Sequence, residues 1–483
     1  MENAEKIENF LERDLEDWGK KLEKNKKSYK ISDSKKNLEK ALLLTKKIQF
    51  GRVCNEDDIM INDSDMESLH PEKKVALQLA IKGFNLFISG GAGTGKSYMV
   101  NKLSSILKKN GKNVILCAPT GIAADNVNGI TIHQVLKIHA YSANVPIVNF
   151  SEIPKNTDTI IVDEISMCRC DLFDSLVFSI VKSCEQYNKK IQLLVIGDFY
   201  QLPPVLTSHD KRILDDIYEK DILSGYAFMG VTWDFCNFKY IELLESQRQT
   251  KRDFIDACNK LRVGDSTSID YFNEHCAKDE DTFSKDNVIY ISSYKKEIEE
   301  INAKIKSDTK SYPVMFTIND KGDDSCYEFD MENEKLSNKK GHYYNGMMGT
   351  FIKKHICAND EEYAIIRISK NGIYLAVKKR IHIIPYLMDI LEDEYKIRYR
   401  EEMKYPFEKA YAITIHKSQG MTLDKIVLLP KNFTNGQLYV ALTRCKEVTD
   451  IYLNTELTIE DIKCDKNISC FYNSLGNTDI SVL

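Results

Sequence analysis

Phe84-Asn-Leu-Phe-Ile-Ser-Gly-Gly-Ala-Gly-Thr-Gly-Lys-Ser97 decides how this chain is read. Its apolar run, Leu86-Phe87-Ile88, reads as a short buried strand. The run feeds into Gly90-x-x-x-x-Gly95-Lys96-Ser97, and a helical pattern with apolar Met99, Val100, Leu103 and Ile106 follows. Strand, glycine-rich loop and helix, in that order, form the context that a phosphate-binding P-loop requires. Gly90, Gly91, Gly93 and Gly95, with Ala92 and Thr94 among them, let backbone N–H groups close around phosphate oxygens. The helix N-terminus adds its positive dipole end. Lys96 can then reach the β- and γ-phosphates, and the Ser97 hydroxyl can ligate Mg²⁺. A glycine-rich turn can also merely join strand to helix, but the flanking pattern favours nucleotide binding.

With 483 residues the chain is too long for one typical domain, and roughly two to four are expected. Apolar content of 43% and charged content of 29% suit a soluble globular protein. No run of about 18 apolar residues occurs, so no membrane span is expected. Met1-Glu-Asn-Ala-Glu-Lys-Ile-Glu8 is acid-rich and lacks the apolar core of a secretory signal, so an intracellular protein of nucleus or cytoplasm is expected. A net charge of −5 gives no global basic footprint, although a nucleic-acid channel needs only local positive charge. The 13 cysteines form no C-x-x-C pair and read as reduced, mostly buried thiols.

Residues 1–66 read as a helical extension. Ile7, Phe10, Leu11, Leu15, Trp18 and Leu22 share one helical face, and a second helical pattern runs from Leu38 to Ile48. The Lys-rich stretch Lys24–Lys36 separates them, and the acidic run Asp57–Asp65 reads as a linker. From 67 to 240 short apolar runs alternate with helical patterns, the mark of an α/β parallel sheet. Strands at Val114–Cys117, Thr159–Val162 and Leu193–Ile196 end in Ala118-Pro-Thr-Gly121, Asp163-Glu164 and Gly197-Asp198. Ligands of open parallel sheets sit at the carboxyl ends of strands, so one edge collects the polar chemistry. A second set of strands is expected at Val288–Ile291, Lys425–Leu428 and Ile451–Leu453, with a helix over Lys295–Lys306. Between them Thr350–Lys353, Tyr363–Ile368 and Ile373–Val377 look like short antiparallel strands of a small inserted β-barrel, residues 312–407.

Asp163-Glu164 behind a buried strand suits a Walker B pair. One carboxylate can hold Mg²⁺, and the next can orient and deprotonate an attacking water. In Gly197-Asp-Phe-Tyr-Gln-Leu-Pro-Pro204, Gln201 can hydrogen-bond a γ-phosphate or that water. Arg248 and Arg444 lie well outside the P-loop region. An arginine supplied from a second domain stabilises transition-state charge and couples hydrolysis to closure, although an isolated arginine is usually a surface residue. Thr414-Ile-His-Lys-Ser-Gln-Gly420 could bind phosphates of a nucleotide or of a nucleic acid, and spacing does not say which.

Taken in order, Gly90–Ser97, Ala118–Ala124 with Thr131-Ile-His133, Asp163–Met167, Gly197–Pro204, Arg248-Gln249, Ile413–Thr422 and Tyr439–Arg444 closely resemble the motifs of superfamily 1 helicases. The match is to the PIF (petite integration frequency) and RecD-like branch, over roughly residues 67–455. It implies an α/β protein, an ATP-dependent 5′→3′ DNA helicase with two RecA-like P-loop domains, a small wedge and an SH3-like insertion. Domain 1A would span 67–240 with the wedge at about 136–157. Domain 2A would span 241–311 and 408–483, around the insertion 2B at 312–407.

The resemblance also implies roles for single residues. Lys96, Glu164, Gln201, Arg248 and Arg444 would be catalytic. Residues Gly90 to Ser97, with Gln419 and Gly420, would bind ATP, and Ser97 and Asp163 would hold Mg²⁺. Thr120, Thr131, His133, His416, Lys417 and Ser418 would line the single-strand path. Asn345-Gly346 matches a turn that the family carries in its barrel. Expected partners are single-stranded and forked DNA and other replication, recombination or repair proteins, with the chain itself a monomer. Lys73, in Leu69-His-Pro-Glu-Lys73, stands where the family's adenine-reading segment has glutamine, which opens the site to other nucleoside triphosphates. An RNA-directed helicase of the same superfamily would use the same engine. A nucleotide-switched scaffold would not need Glu164, Gln201, Arg248 and Arg444 together.

Overall fold

Leu86, Phe87 and Ile88 are fully buried and form the expected strand, β1 (Leu86–Gly90), in the computed structural model of the chain. The structure describes residues 29–45, 69–138, 146–278, 283, 288–304, 311–317, 326–343, 346–357, 360–391, 394–429 and 433–475. The Ile7–Leu22 pattern, the Asp57–Asp65 run, residues 139–145 and Asn345 lie outside the described residues. Five strands join β1 in a parallel sheet: β2 (Val114–Ala118), β3 (Ile130–Thr131), β4 (Thr159–Val162), β5 (Gln192–Ile196) and β6 (Lys239–Leu243). Their spatial order is β3-β2-β4-β5-β1-β6.

Helix α1 (Ile31–Thr45) precedes this sheet, α2 (Pro71–Ile81) leads into β1 and α3 (Lys96–Lys109) leaves it. Single turns α4 (Gly121–Asn126) and α5 (Ile132–Val135) follow β2 and β3, α6 (Cys170–Tyr187) follows β4, and α7 (Ser208–Tyr218) follows β5. Successive side chains of a strand point to opposite faces, and the core divides accordingly. Leu86 and Ile88 join Leu194 and Ile196 beneath Leu77 of α2 and Leu103 of α3. Phe87 joins Leu193 and Val195 on the face covered by Phe173, Leu176 and Ile180 of α6. Helix α1 begins at Ile31, inside the stretch expected to be a spacer, with Asp33 favourably placed against the N-terminal dipole. Its Ile31 and Leu38 bury against Ile213, Leu214 and Ile217 of α7.

The described part of the expected wedge, residues 146–157, lies along α6. Backbone N–H groups of Ile147, Asn149, Ser151 and Ile153 donate to Asp171 Oδ2 (2.8 Å), Ser175 Oγ (3.0 Å), Ser179 Oγ (2.9 Å) and Ser183 Oγ (3.1 Å). Two residues of extended chain advance about 6.6 Å and four residues of helix about 6 Å, so the two repeats stay in step over this length.

Helix α8 (Arg252–Arg262) leads towards a second parallel sheet, which opens with β7 (Val288–Ser292) and α9 (Lys295–Lys304). A seven-stranded antiparallel sheet interrupts it. Its strands are β8 (Tyr312–Phe316), β9 (Cys326–Asp330), β10 (Lys335–Lys340), β11 (Met348–Ile356), β12 (Glu362–Ile368), β13 (Tyr374–Val377) and, beyond the hairpin β14 (Arg380–Leu391) and β15 (Glu394–Lys404), β16 (Phe407–Lys409). They pair in the order β10-β9-β13-β12-β11-β8-β16. The parallel sheet resumes with β17 (Ala412–Thr414), β18 (Lys425–Leu429) and β19 (Ile451–Leu453), ordered β17-β7-β18-β19. Turn α10 (Ile415–Ser418) follows β17, and α11 (Gln437–Leu442) follows β18. Ile291, Ile413, Ile426 and Leu428 pack against Phe254 and Leu261 of α8 and Leu438 of α11.

The last helix, α12 (Lys466–Leu475), returns to the first sheet. Ile468, Phe471 and Tyr472 pack beside Phe87, Phe199 and Trp233. The sequence reading assigned this stretch to the second domain and tail; its aromatic face packs on the first. Among the described residues no helix is long and apolar enough to cross a membrane.

The ladder along α6 is testable. Ser179→Ala leaves the Ser151 N–H without its acceptor and is expected to cost about 1–3 kcal/mol in urea denaturation. A change within about 0.5 kcal/mol, the scatter typical of neutral surface substitutions, would show that the ladder contributes little.

Candidate active site

The turn from β1 into α3 depends on backbone that only glycine adopts easily: Gly93 has φ +82° and Gly95 φ +85°. Lys96 is buried, and its ammonium donates to Gly90 O (2.8 Å) and Gly91 O (2.9 Å). Burial pushes its pKa down, opposed first by the carboxylates of Asp198 and Glu164. Ser97 Oγ donates to Asp163 Oδ2 at 3.1 Å. Burial, and then the neighbouring charge of Glu164, push the Asp163 carboxyl up to about 7. A hydroxyl and two crowded carboxyl groups form an oxygen set that suits a hard divalent cation, whose charge would relieve that crowding. Glu164 adopts φ +51°, a left-handed conformation unusual for a side-chain-bearing residue, and its N–H donates to Asp163 Oδ1 at 2.9 Å. Its carboxylate accepts a hydrogen bond from Gln419 Nε2 at 3.2 Å, which joins the two parallel-sheet halves.

A cleft of about 320 Å³ lies where the halves meet. From the first half it gathers Lys96, Ser97, Glu164 and Gln201, and from the second Arg248, Gly420 and Arg444. Arg444 is 2% exposed and donates from Nε to Val440 O (2.7 Å) and from Nη1 to Met421 O (3.2 Å). Arg248 Nη1 donates to Thr443 O at 2.9 Å. Burial, with Arg248 as the next cause, pushes Arg444 down to about 9, so it is still a cation at neutral pH. Two guanidinium groups held close in a buried cleft are stabilised by an anion placed between them. Thr422, at the end of the Ile413–Thr422 motif, also lines the cleft, as do Tyr98, Gln247 and Lys446, to which no role was given from the sequence.

A smaller hollow of about 170 Å³ also reaches Glu164 and is lined by Thr120, His416, Lys417 and Gln419. Burial pushes the pKa values of His416 and Lys417 down. Thr120 Oγ1 accepts from Ala123 N (3.3 Å), so it also caps α4. Thr131 forms a capping box with Gln134 on α5, and neither Thr131 nor His133 is among the groups lining the hollow. Ser418, also expected on the strand path, is not among the residues lining the hollow. It is fully buried, and its hydroxyl donates to Ile415 O at 2.8 Å. The inserted sheet closes over α4, where Lys370 pairs with Asp125 (2.5 Å) and Gly346 packs against Ile122.

Arg262, at the end of α8, escaped the sequence reading. It donates from Nε to Asp198 Oδ2 (3.0 Å), from Nη2 to Asp198 Oδ1 (3.0 Å) and from Nη1 to Glu242 Oε1 (2.9 Å). Its guanidinium lies 5.0 Å from the centre of the Tyr200 ring, which stacks on Tyr472 of α12. Tyr439 Oη accepts from Ala92 N in the P-loop (2.6 Å), and Tyr472 Oη accepts from Phe199 N (3.1 Å). Removing one partner of such a pair strands a buried charge. Arg262→Met is therefore expected to cost about 3–5 kcal/mol, with part of the loss recovered in the double variant with Asp198→Asn. Thermal denaturation of both variants measures this, and an equally unstable double variant would contradict it.

Comparison with known proteins agrees with this geometry. Residues 69–270 match the family described as PIF1-like helicase. The Campylobacter jejuni protein named ATP-dependent DNA helicase Pif1 is 28% identical over 450 residues, covering 82% of this chain and 96% of the relative. The human protein named ATP-dependent DNA helicase PIF1 is 25% identical over 435 residues, and the match spans 85% of this chain but 64% of that longer protein. A Bacteroides Pif1 structure bound to single-stranded DNA superimposes with a TM-score of 0.63 at 26% identity, over 84% of this chain and 96% of that one. A second, with ADP-AlF3 and single-stranded DNA, gives 0.62 at 27% identity over 85% and 98%. In the order of its motifs, in its parallel sheets and in the cleft between them, the chain is similar to the PIF1-like helicases.

Proposed function

We propose that the chain is an ATP-dependent DNA helicase that moves 5′→3′ along a single strand and opens forked duplex DNA. The observation that carries this reading is the shared cleft, where Lys96, Ser97 and Glu164 face Arg248 and Arg444. The relatives named as ATP-dependent DNA helicases, and the DNA-bound Pif1 structures, support the substrate class.

Phosphate oxygens in the P-loop offer Lys96 stronger acceptors than the carbonyls it now uses. Ser97 and Asp163 would hold Mg²⁺, which would supply positive charge against the phosphates. Glu164 takes a proton from the attacking water, and Gln201 orients that water against the γ-phosphate. Arg248 and Arg444 stabilise the charge of the transferring group. Once the γ-phosphate has left, the two arginines lose their common anion, and the cleft is free to open. Hydrolysis is thereby tied to movement of one parallel-sheet half against the other.

In this reading residues 67–240 form one RecA-like domain, and 241–311 with 408–483 form the other. Residues 312–407 form an SH3-like insertion that grips the strand, and the region around 136–157 acts at the duplex junction. Thr120, His416 and Lys417 meet the strand through its backbone, so sequence preference is weak.

Glu164→Gln is expected to lower DNA-stimulated ATP hydrolysis by about 10²–10⁴-fold, the usual worth of a general base. Lys96→Ala should abolish it while single-strand binding, read by fluorescence anisotropy, stays within about twofold, because strand contacts are made by other residues. Undiminished hydrolysis in Lys96→Ala, or unwinding of 3′-tailed but not 5′-tailed duplexes, would refute the proposal. Preferential unwinding of tailed RNA would replace DNA by RNA as substrate.

A further inference from the structure

We infer that Lys73 is a second cationic contact for the phosphates of the bound nucleotide. Lys73, on α2, is 1% exposed, and its Nζ has no hydrogen-bond partner among the described residues. A fully buried lysine is rare unless it is paired, because an ammonium stripped of water and left without an acceptor is strongly disfavoured. The other buried cations around the P-loop follow that rule: Lys96 rests on two loop carbonyls, and Arg262 on Asp198 and Glu242. Lys73 has no such partner among the described residues, so it offers a cation that a bound anion can satisfy.

Its position says what that partner is. A Cβ placed on Gly95 would lie 3.4 Å from Lys73 Nζ and 2.5 Å from Gln247 Oε1. The ammonium therefore stands beside the last glycine of the P-loop, at the N-terminus of α3, where backbone N–H groups already favour anions. A nucleoside di- or triphosphate brings the missing acceptor oxygens to this place. An ammonium has three donors and no acceptor, so it reads charge and cannot make the paired donor and acceptor contact that distinguishes one base from another. The site is thus built to recognise phosphate more strongly than base, and ATP and GTP should bind with similar affinity.

The inference rests on the nucleotide-binding reading of the P-loop, and the test separates the two. Affinities of the full-length chain for ATP, GTP and ADP are measured by displacement of a fluorescent nucleotide, for wild type, Lys73→Met and Lys73→Gln. Both variants should lose affinity for ATP and GTP alike, by about tenfold or more, as expected for a charge-assisted contact. Lys73→Met, which buries no charge, should raise the Tm of the nucleotide-free protein while reducing the further rise that saturating ATP produces. Unchanged affinities in both variants, or a change confined to the ATP-to-GTP ratio in Lys73→Gln, would overturn the phosphate assignment while leaving the P-loop reading intact. Failure of the wild-type chain to bind any nucleotide would overturn both.

Discussion

A buried ion pair, Asp198 with Arg262, governs how the two halves of the molecule meet. Asp198 is fully buried in the loop after β5, and Arg262 closes α8. Neither charge is tolerable in such a place alone, so each specifies the position of the other. Glu242 takes the remaining edge of the guanidinium, and Tyr200 covers its face. Because Tyr439 hydrogen-bonds the P-loop from α11, and Tyr472 hydrogen-bonds the Gln201 loop from α12, the same junction ties four distant segments together. The cleft geometry follows from this junction. Arg248 and Arg444 can face Lys96 only if α8 and α11 are held against the first sheet.

Around that junction the reactive groups occupy the polar edge of the first sheet. Lys96, Asp163, Glu164 and Gln201 all follow the carboxyl ends of buried parallel strands, where backbone groups are no longer committed to the sheet. The local conformations are costly: left-handed glycines at 93 and 95, and a left-handed Glu164. Rigid strands of the kind seen in β1, β4 and β5, buried on both faces, are what maintain them.

Much of this edge was legible in the sequence because its chemistry is local. Strand, turn and reactive group are neighbours in the P-loop and at Asp163-Glu164, and the strand limits at Thr159–Val162 and Ile451–Leu453 match the expected ones. Arg262 was not legible, since its partner lies 64 residues away and nothing around it distinguishes it from a surface arginine. The return of α12 to the first sheet was hidden for the same reason. The hydroxyl contact of Ser418 was hidden too, because a four-residue turn sets it and the string Thr-Ile-His-Lys-Ser-Gln does not reveal that turn. The ladder on α6 did leave a trace: Asp171, Ser175, Ser179 and Ser183 form a polar stripe at every fourth position of the helix. Such a stripe is a sign of a backbone segment laid along it.

Glu164 borders both hollows, and Gln419 touches it from the opposite half. One carboxylate thereby borders two separate cavities. Any occupant of the smaller hollow that draws Gln419 away changes the number of acceptor sites Glu164 offers to the larger one, and the reverse holds equally. Equilibrium linkage then makes the effect symmetric: the factor by which one ligand alters the affinity for the other is the same in both directions. The two hollows thus share a single thermodynamic account through a bond between two side chains, with no need for a longer chain of contacts to carry the message.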